Sequence, residues 1–127
     1  MNELLEEIRF NDAGLVLAIA QQHDTGEVLM AAWMNADAIR ETLETGRVCY
    51  WSRSRGKLWR KGESSGQVQA LKELRLDCDG DSILLLVDQT GVACHTGRRT
   101  CFFRAVRDGE LVTVAEVAVD PKTLYGK

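Results

Sequence analysis

The chain has 127 residues, 45% of them hydrophobic and 28% charged, with a formal net charge of -3. That length supports one domain over residues 1–127 with a core of its own, and the slight acidity argues against general nucleic-acid binding. The opening stretch MNELLEEIRF carries acids where a secretory signal would carry basic residues, and no run approaches the ~18 apolar residues of a membrane span. The four cysteines (Cys49, Cys78, Cys94 and Cys101) are therefore expected as reduced thiols or metal ligands in a cytoplasmic protein.

Residues 2–9 predict a short amphipathic helix with Leu4, Leu5 and Ile8 on one side. GLVLAIAQQ (14–22) and EVLMAAWM (27–34) flank HDTG, a hairpin signal in which Gly26 is free to take a positive φ; His23 beside it is expected in solvent. NADAIRETLETG (35–46) reads as a helix capped by Asn35, with Ile39 and Leu43 on one face and Gly46 as its stop. VCYWSRS (48–54) returns to strand, RGK turns, and LWRKG (58–62) follows. QVQALKELRLDC (67–78) alternates as a strand, and SILLLVDQ (82–89) is apolar enough for burial on both faces or at an interface. After the GVACHTGRR loop, CFFRAV (101–106) and LVTVAEVAV (111–119) flank RDGE, a second hairpin signal. The expected class is α+β, mostly sheet, with one or two short helices.

Residues 77–81, DCDGD, interleave hard carboxylates with a soft thiol. They do not open an EF-hand, because Ser82 stands where that loop needs Gly and apolar residues follow. In a strand, Asp77, Asp79 and Asp81 would share a face suited to Mg2+, with Cys78 on the other; taken alone, the five residues also read as a solvated acidic turn. Cys78, Cys94, Cys101 and His95 concentrate within residues 78–101, without the CxxC pairs of a zinc ribbon. Three protein ligands with an open position describe a catalytic zinc, and a fourth from His95 or Cys49 would make it structural. Cys49, inside VCYW, also reads as a buried core thiol. His95 is open to three roles: metal ligand, proton carrier or plain loop residue.

Residues 47–62 hold six basic side chains and no acid, interleaved with Tyr50, Trp51 and Trp59. KGESSG (61–66) adds glycines, hydroxyls and amides suited to a phosphate, and TGRR (96–99) adds two arginines beside the thiols. A phosphorylated nucleotide fits this set better than a polymer, although single-stranded RNA is a rival ligand.

Together, GEVLMAAWMN (26–35), YWSRSRGKLWRKGESSG (50–66), LDCDGDS (76–82) and ACHTGRRTCFF (93–103) closely resemble the phosphoribosyl-AMP cyclohydrolase family of histidine biosynthesis, with Thr100 where serine is common. The resemblance implies zinc on Cys78, Cys94 and Cys101, Mg2+ on Asp77, Asp79 and Asp81, and a homodimer whose strands meet at the interface and whose zinc ligands come from both subunits. It implies hydrolysis of the N1–C6 bond of the adenine ring by zinc-activated water, with His95 as the proton carrier. Trp51, Arg53, Ser54, Arg55, Trp59, Lys61, Ser64, Ser65, Arg98 and Arg99 are the expected substrate contacts. No nucleic acid or membrane partner is expected, nor the pyrophosphohydrolase domain fused to some relatives. A zinc deaminase is disfavoured, since the H-x-E…P-C-x-x-C signature is absent.

Overall fold

The computed structural model describes residues 2–125. β1 (Val16–Gln22) buries every second residue, and β2 (Val28–Met34) pairs with it antiparallel across the expected turn, where Gly26 has φ 81°. A register shift at Ala20/Gln21 lets consecutive β2 residues, Leu29 and Met30, both turn inward. α1 (Asn2–Glu7) lays Leu4 and Leu5 against the core, which Ile8 enters.

α2 (Ala36–Thr45) begins and ends as its sequence directs. Asn35 accepts a hydrogen bond from the Ala38 amide at 2.8 Å, and Gly46, in the left-handed region, donates to the Thr42 carbonyl at 2.9 Å. Its buried stripe is Ala38, Ile39 and Thr42; Leu43, expected beside Ile39, lies at the exposed margin. Thr42 is buried because its hydroxyl serves Cys49, accepting from that residue's amide at 2.9 Å. Cys49 is the core thiol that one reading expected.

β3 (Cys49–Ser52) and β4 (Lys57–Arg60) form the basic hairpin, and β5 (Gln69–Leu76) and β6 (Ser82–Gln89) form a second one. The sheet order is β4-β3-β2-β1-β6-β5, with β1 and β6 parallel and every other pair antiparallel. The two sides of the sheet then meet: Val48 donates to the Gln69 carbonyl at 3.0 Å and Leu71 to the Gly46 carbonyl at 2.8 Å. The curled sheet encloses Tyr50, Met34, Leu85 and Val87.

Three expectations change. β6 is buried on one face only: Ile83, Leu85 and Val87 point inward while Leu84 and Leu86 stay half-exposed. The strand expected over 67–78 ends at Leu76, so Asp77–Asp81 form the β5–β6 turn and do not present alternate faces. The second hairpin is a separate ribbon of β7 (Arg104–Arg107) and β8 (Glu110–Thr113), after which residues 114–119 leave strand geometry. α3 (Pro121–Tyr125) follows, with Asp120 accepting from the Lys122 amide at 3.0 Å.

Thr42→Val should keep the shape of this joint while stranding the buried Cys49 amide. We expect a loss of about 1–3 kcal/mol in urea unfolding with the helical circular dichroism retained; an unchanged midpoint would show that the Thr42 hydroxyl does not hold α2 to β3.

Candidate functional site

The segment between β6 and β7 carries most of the chemistry and has no regular structure. It folds as a narrow loop: Ala93 donates to the Arg99 carbonyl at 3.0 Å, Cys94 to Arg98 at 3.1 Å, and Gly97 to Cys94 at 3.0 Å. That last bond puts His95 and Thr96 at the tip of a turn, with His95 exposed. Gly97 has φ 85°, and an added Cβ would lie 1.9 Å from the Val119 carbonyl oxygen. The contact is close because residues 114–119 strap the loop, with the Ala118 and Val119 amides both donating to the Gly97 carbonyl. Nothing in the apolar pattern LVTVAEVAV distinguished this strap from a strand.

Cys101 is fixed from the other side, its amide donating to the Leu29 carbonyl of β2 at 2.7 Å. The two held ends bring the Cys94 and Cys101 thiols near enough for each to shift the other's proton affinity. Burial pushes Cys94 upward, but the Thr96 hydroxyl and amide, the Cys101 thiol and the Lys61 ammonium together hold it below an ordinary thiol. Cys101 is pushed up to about 12 by burial of its sulfur and by the charge of Cys94. One of the pair thus gives up its proton much more readily. Thr96, whose hydroxyl reaches the Cys94 sulfur at 3.0 Å, is a functional residue the sequence reading missed; its place in the turn between Cys94 and Gly97 was the available signal.

A cleft of about 810 Å³ opens between the basic hairpin, the KGESSG loop and His95 of the thiol loop. Of the expected substrate contacts it gathers Ser54, Arg55, Trp59, Lys61, Ser64 and Ser65, and His95 joins them on its wall. Trp59 packs on Tyr50 with ring centroids 5.5 Å apart, so this tryptophan is both core and cleft wall. Trp51, Arg53, Arg98 and Arg99 do not line it. Trp51 sits between Trp33 and Leu58 across the sheet, and Arg53 stacks over Trp33 at 5.1 Å. Arg98 lies over Phe103 at 4.1 Å and donates to the Ala115 carbonyl. Arg99 spends four of its donor positions on Glu27, Gln22 and the carbonyls of Gln89 and Gly91. Arg60, one of the basic run, is likewise tied by two bonds to Glu41.

Cys78 is exposed at the β5–β6 turn, flanked by Asp77 and Asp79. Among the described residues of one chain, no three His, Cys, Asp or Glu side chains converge as a metal site. The donor chemistry nonetheless suits a soft cation at Cys94 and Cys101, two neighbouring thiols of which Cys94 is held below an ordinary thiol. A third ligand from Cys78 would have to belong to another copy of the chain. In the acidic turn, Asp77 accepts from the Asp81 and Ser82 amides at 3.0 and 3.3 Å. Despite some desolvation, those bonds and one with the Asp81 carboxyl hold Asp77 below the usual carboxylate range, while Asp77 raises Asp81. Two carboxylates this close repel each other, and a hard cation between them would relieve that repulsion.

Among the described residues no helix is long and apolar enough to cross a membrane. The sequence profile of the family described as phosphoribosyl-AMP cyclohydrolase matches residues 30–103, which span the basic hairpin, the acidic turn and the thiol loop. Proteins of that name from Granulibacter bethesdensis, Rhodospirillum centenum and Alcanivorax borkumensis are 70%, 69% and 70% identical to this chain. The alignments cover 99%, 100% and 100% of this chain and 99%, 96% and 89% of the respective relatives. The chain belongs to the phosphoribosyl-AMP cyclohydrolase family.

Proposed function

We propose that this chain opens the adenine ring of 1-(5-phosphoribosyl)-AMP at the N1–C6 bond, a hydrolysis in histidine biosynthesis. The observation that carries the reading is one cleft lined by the KGESSG loop, Trp59, Arg55 and the exposed His95, the residue next to Cys94. Ser64, Ser65 and Arg55 line the cleft, where they would receive phosphate oxygens, and Trp59 would pack against the base. Cys94 and Cys101, with Cys78 of a second copy, would hold Zn2+, which supplies an activated water at neutral pH. His95 would take a proton from the attacking water oxygen as it bonds to C6 and return it to N1 as the ring bond breaks. The oxygen gives up its second proton to solvent and remains as the carboxamide carbonyl, and N1 leaves as the formimino nitrogen. Alkylation at N1 already makes the amidine cationic, so C6 is electrophilic before the water arrives.

The homodimer belongs to the same proposal. The site is incomplete in one chain because Cys78 stands apart from Cys94 and Cys101. A second copy that brings its β5–β6 turn to the thiol loop would deliver Cys78 as ligand and Asp77, Asp79 and Asp81 beside the cleft. Asp77, Asp79 and Asp81 would hold Mg2+, which would supply positive charge for a substrate phosphate beside them.

Ultraviolet spectra of phosphoribosyl-AMP with zinc-loaded protein and Mg2+ should shift to the imidazole carboxamide product, and a zinc chelator should stop the change. A folded, metal-loaded protein that leaves the spectrum unchanged would refute the activity. His95→Ala should lower kcat by about 10²–10⁴-fold with zinc content intact, whereas loss of zinc would make His95 a ligand. Cys78→Ala and Cys101→Ala should each be inactive, yet recover on unfolding and refolding together. Random pairing leaves one intact site in each mixed dimer, which predicts about a quarter of wild-type activity. No recovery from well-folded mixed dimers would place all three thiols within one chain.

A further inference from the structure

Lys61 is the only charged side chain in the buried set among the described residues, at 9% exposure. It ends the basic hairpin, where the resemblance would have it grip a phosphate, yet it turns inward. Its ammonium donates to the Ala93 carbonyl, one residue before Cys94, and lies 5.5 Å from the centre of the Trp59 ring. No carboxylate among the described residues pairs with it. A buried ammonium with only a carbonyl and a ring for company is costly unless an anion stands nearby. The Cys94 and Cys101 thiols are the groups at hand that can become anions, and their charges, once ionised, would oppose the downward pull of burial on Lys61.

We propose that Lys61 is the charge-balancing residue of the thiolate site, holding the thiol loop through Ala93 and offsetting one thiolate charge. This rests on the reading of Cys78, Cys94 and Cys101 as zinc ligands. Three thiolates around Zn2+ leave a net negative charge that resists an incoming hydroxide and a developing oxyanion. A lysine behind the ligands brings the assembly to neutrality, with no added carboxylate to undo it. The tie to Ala93 makes the same side chain a positional clamp, because the carbonyl it engages adjoins Cys94 in the chain. Although Lys61 also lines the cleft, its ammonium is spent on the Ala93 carbonyl, so its assigned part is to act through the thiolates as a positioning residue.

The test compares the wild-type protein with Lys61→Gln, Lys61→Met and Lys61→Arg. Gln keeps a donor for Ala93 without the charge, Met keeps only length, and Arg keeps the charge. Zinc affinity is read by competition with a chromophoric chelator, and cobalt substitution reports thiolate ligation through its charge-transfer band. Gln and Met should weaken zinc binding about 10–100-fold, with the cobalt–thiolate band retained at saturating metal and Arg within a few-fold of wild type. Without metal, Met should melt no lower than wild type, since removing an under-paired buried charge relieves the fold. Unchanged zinc affinity in the Gln variant with a raised KM would return Lys61 to the substrate and overturn the proposal. Equal losses in Gln and Arg would assign the effect to packing and overturn it too. Should Met fail to fold, the Gln and Arg comparison decides alone. A wild-type protein with no cobalt–thiolate band would sink the metal reading itself, a result visible before any variant is made.

Discussion

A buried chain of side-chain hydrogen bonds holds this molecule together where its backbone alone would not. Tyr50 donates to Gln69 at 2.7 Å, Gln69 to Gln89 at 2.8 Å, and the Gln89 amide to the Gln22 side-chain oxygen at 2.9 Å. Arg99 reaches the same Gln22 oxygen at 2.8 Å. These residues lie on β3, β5, β6, β1 and the thiol loop, so one connected network spans the closure of the sheet and the segment that bears the chemistry. Among the described residues every buried side-chain nitrogen and oxygen has a partner. A satisfied polar network fixes geometry that interchangeable apolar contacts would leave loose. It also explains why Arg99 has so little left to offer a substrate.

The network explains how an irregular loop can carry a precise pair of thiols. Residues 90–101 lack helix or strand to set their shape, and backbone polar groups in such a segment need other partners. Gln89 supplies some, donating to the Thr90 carbonyl at 2.9 Å, and Gln67 accepts from the Val92 amide at 2.9 Å. Lys61 and Arg99 take the next carbonyls, and residues 118 and 119 take that of Gly97. The loop is pinned along its length, which leaves His95 exposed at its tip beside the cleft.

What the sequence revealed follows the range over which each signal acts. α2 was legible because Asn35 and Gly46 make its ends with their own nearest turns. The hairpin at Gly26 was legible for the same reason, and so were the residues of the cleft from Ser54 to Ser65, contiguous in the chain. The misreadings are non-local. Leu43 yields its buried place to Thr42 because Cys49, seven residues on, needs a partner. Residues 114–119 read as strand by apolarity but bind the thiol loop, which only the fold brings to them. Arg98 and Arg99 looked like free cations because the side chains and carbonyls that occupy them lie on other elements. Lys61 looked like another exposed base of its run, and nothing in KGESSG tells that it faces Ala93.

At Asp77–Asp81 the strand reading fails and the other reading, a solvated acidic turn, holds. Alternation along a strand would have separated hard from soft donors by placing them on opposite faces of the sheet. The structure breaks the strand at Leu76, and Gly80, with φ 76°, turns the chain while its carbonyl accepts from Arg9 at 2.7 Å. An added Cβ at Gly80 would lie 2.5 Å from the Glu7 carbonyl oxygen, so the N-terminal segment presses the turn into shape. Asp77 becomes a turn residue that satisfies two amides. Cys78 is carried outward, away from Cys94 and Cys101 of its own chain, which a strand pointing into the sheet could not have done. The change from strand to turn thus removes the argument from alternation and leaves Cys78 exposed, outside any cluster of three metal-binding side chains among the described residues.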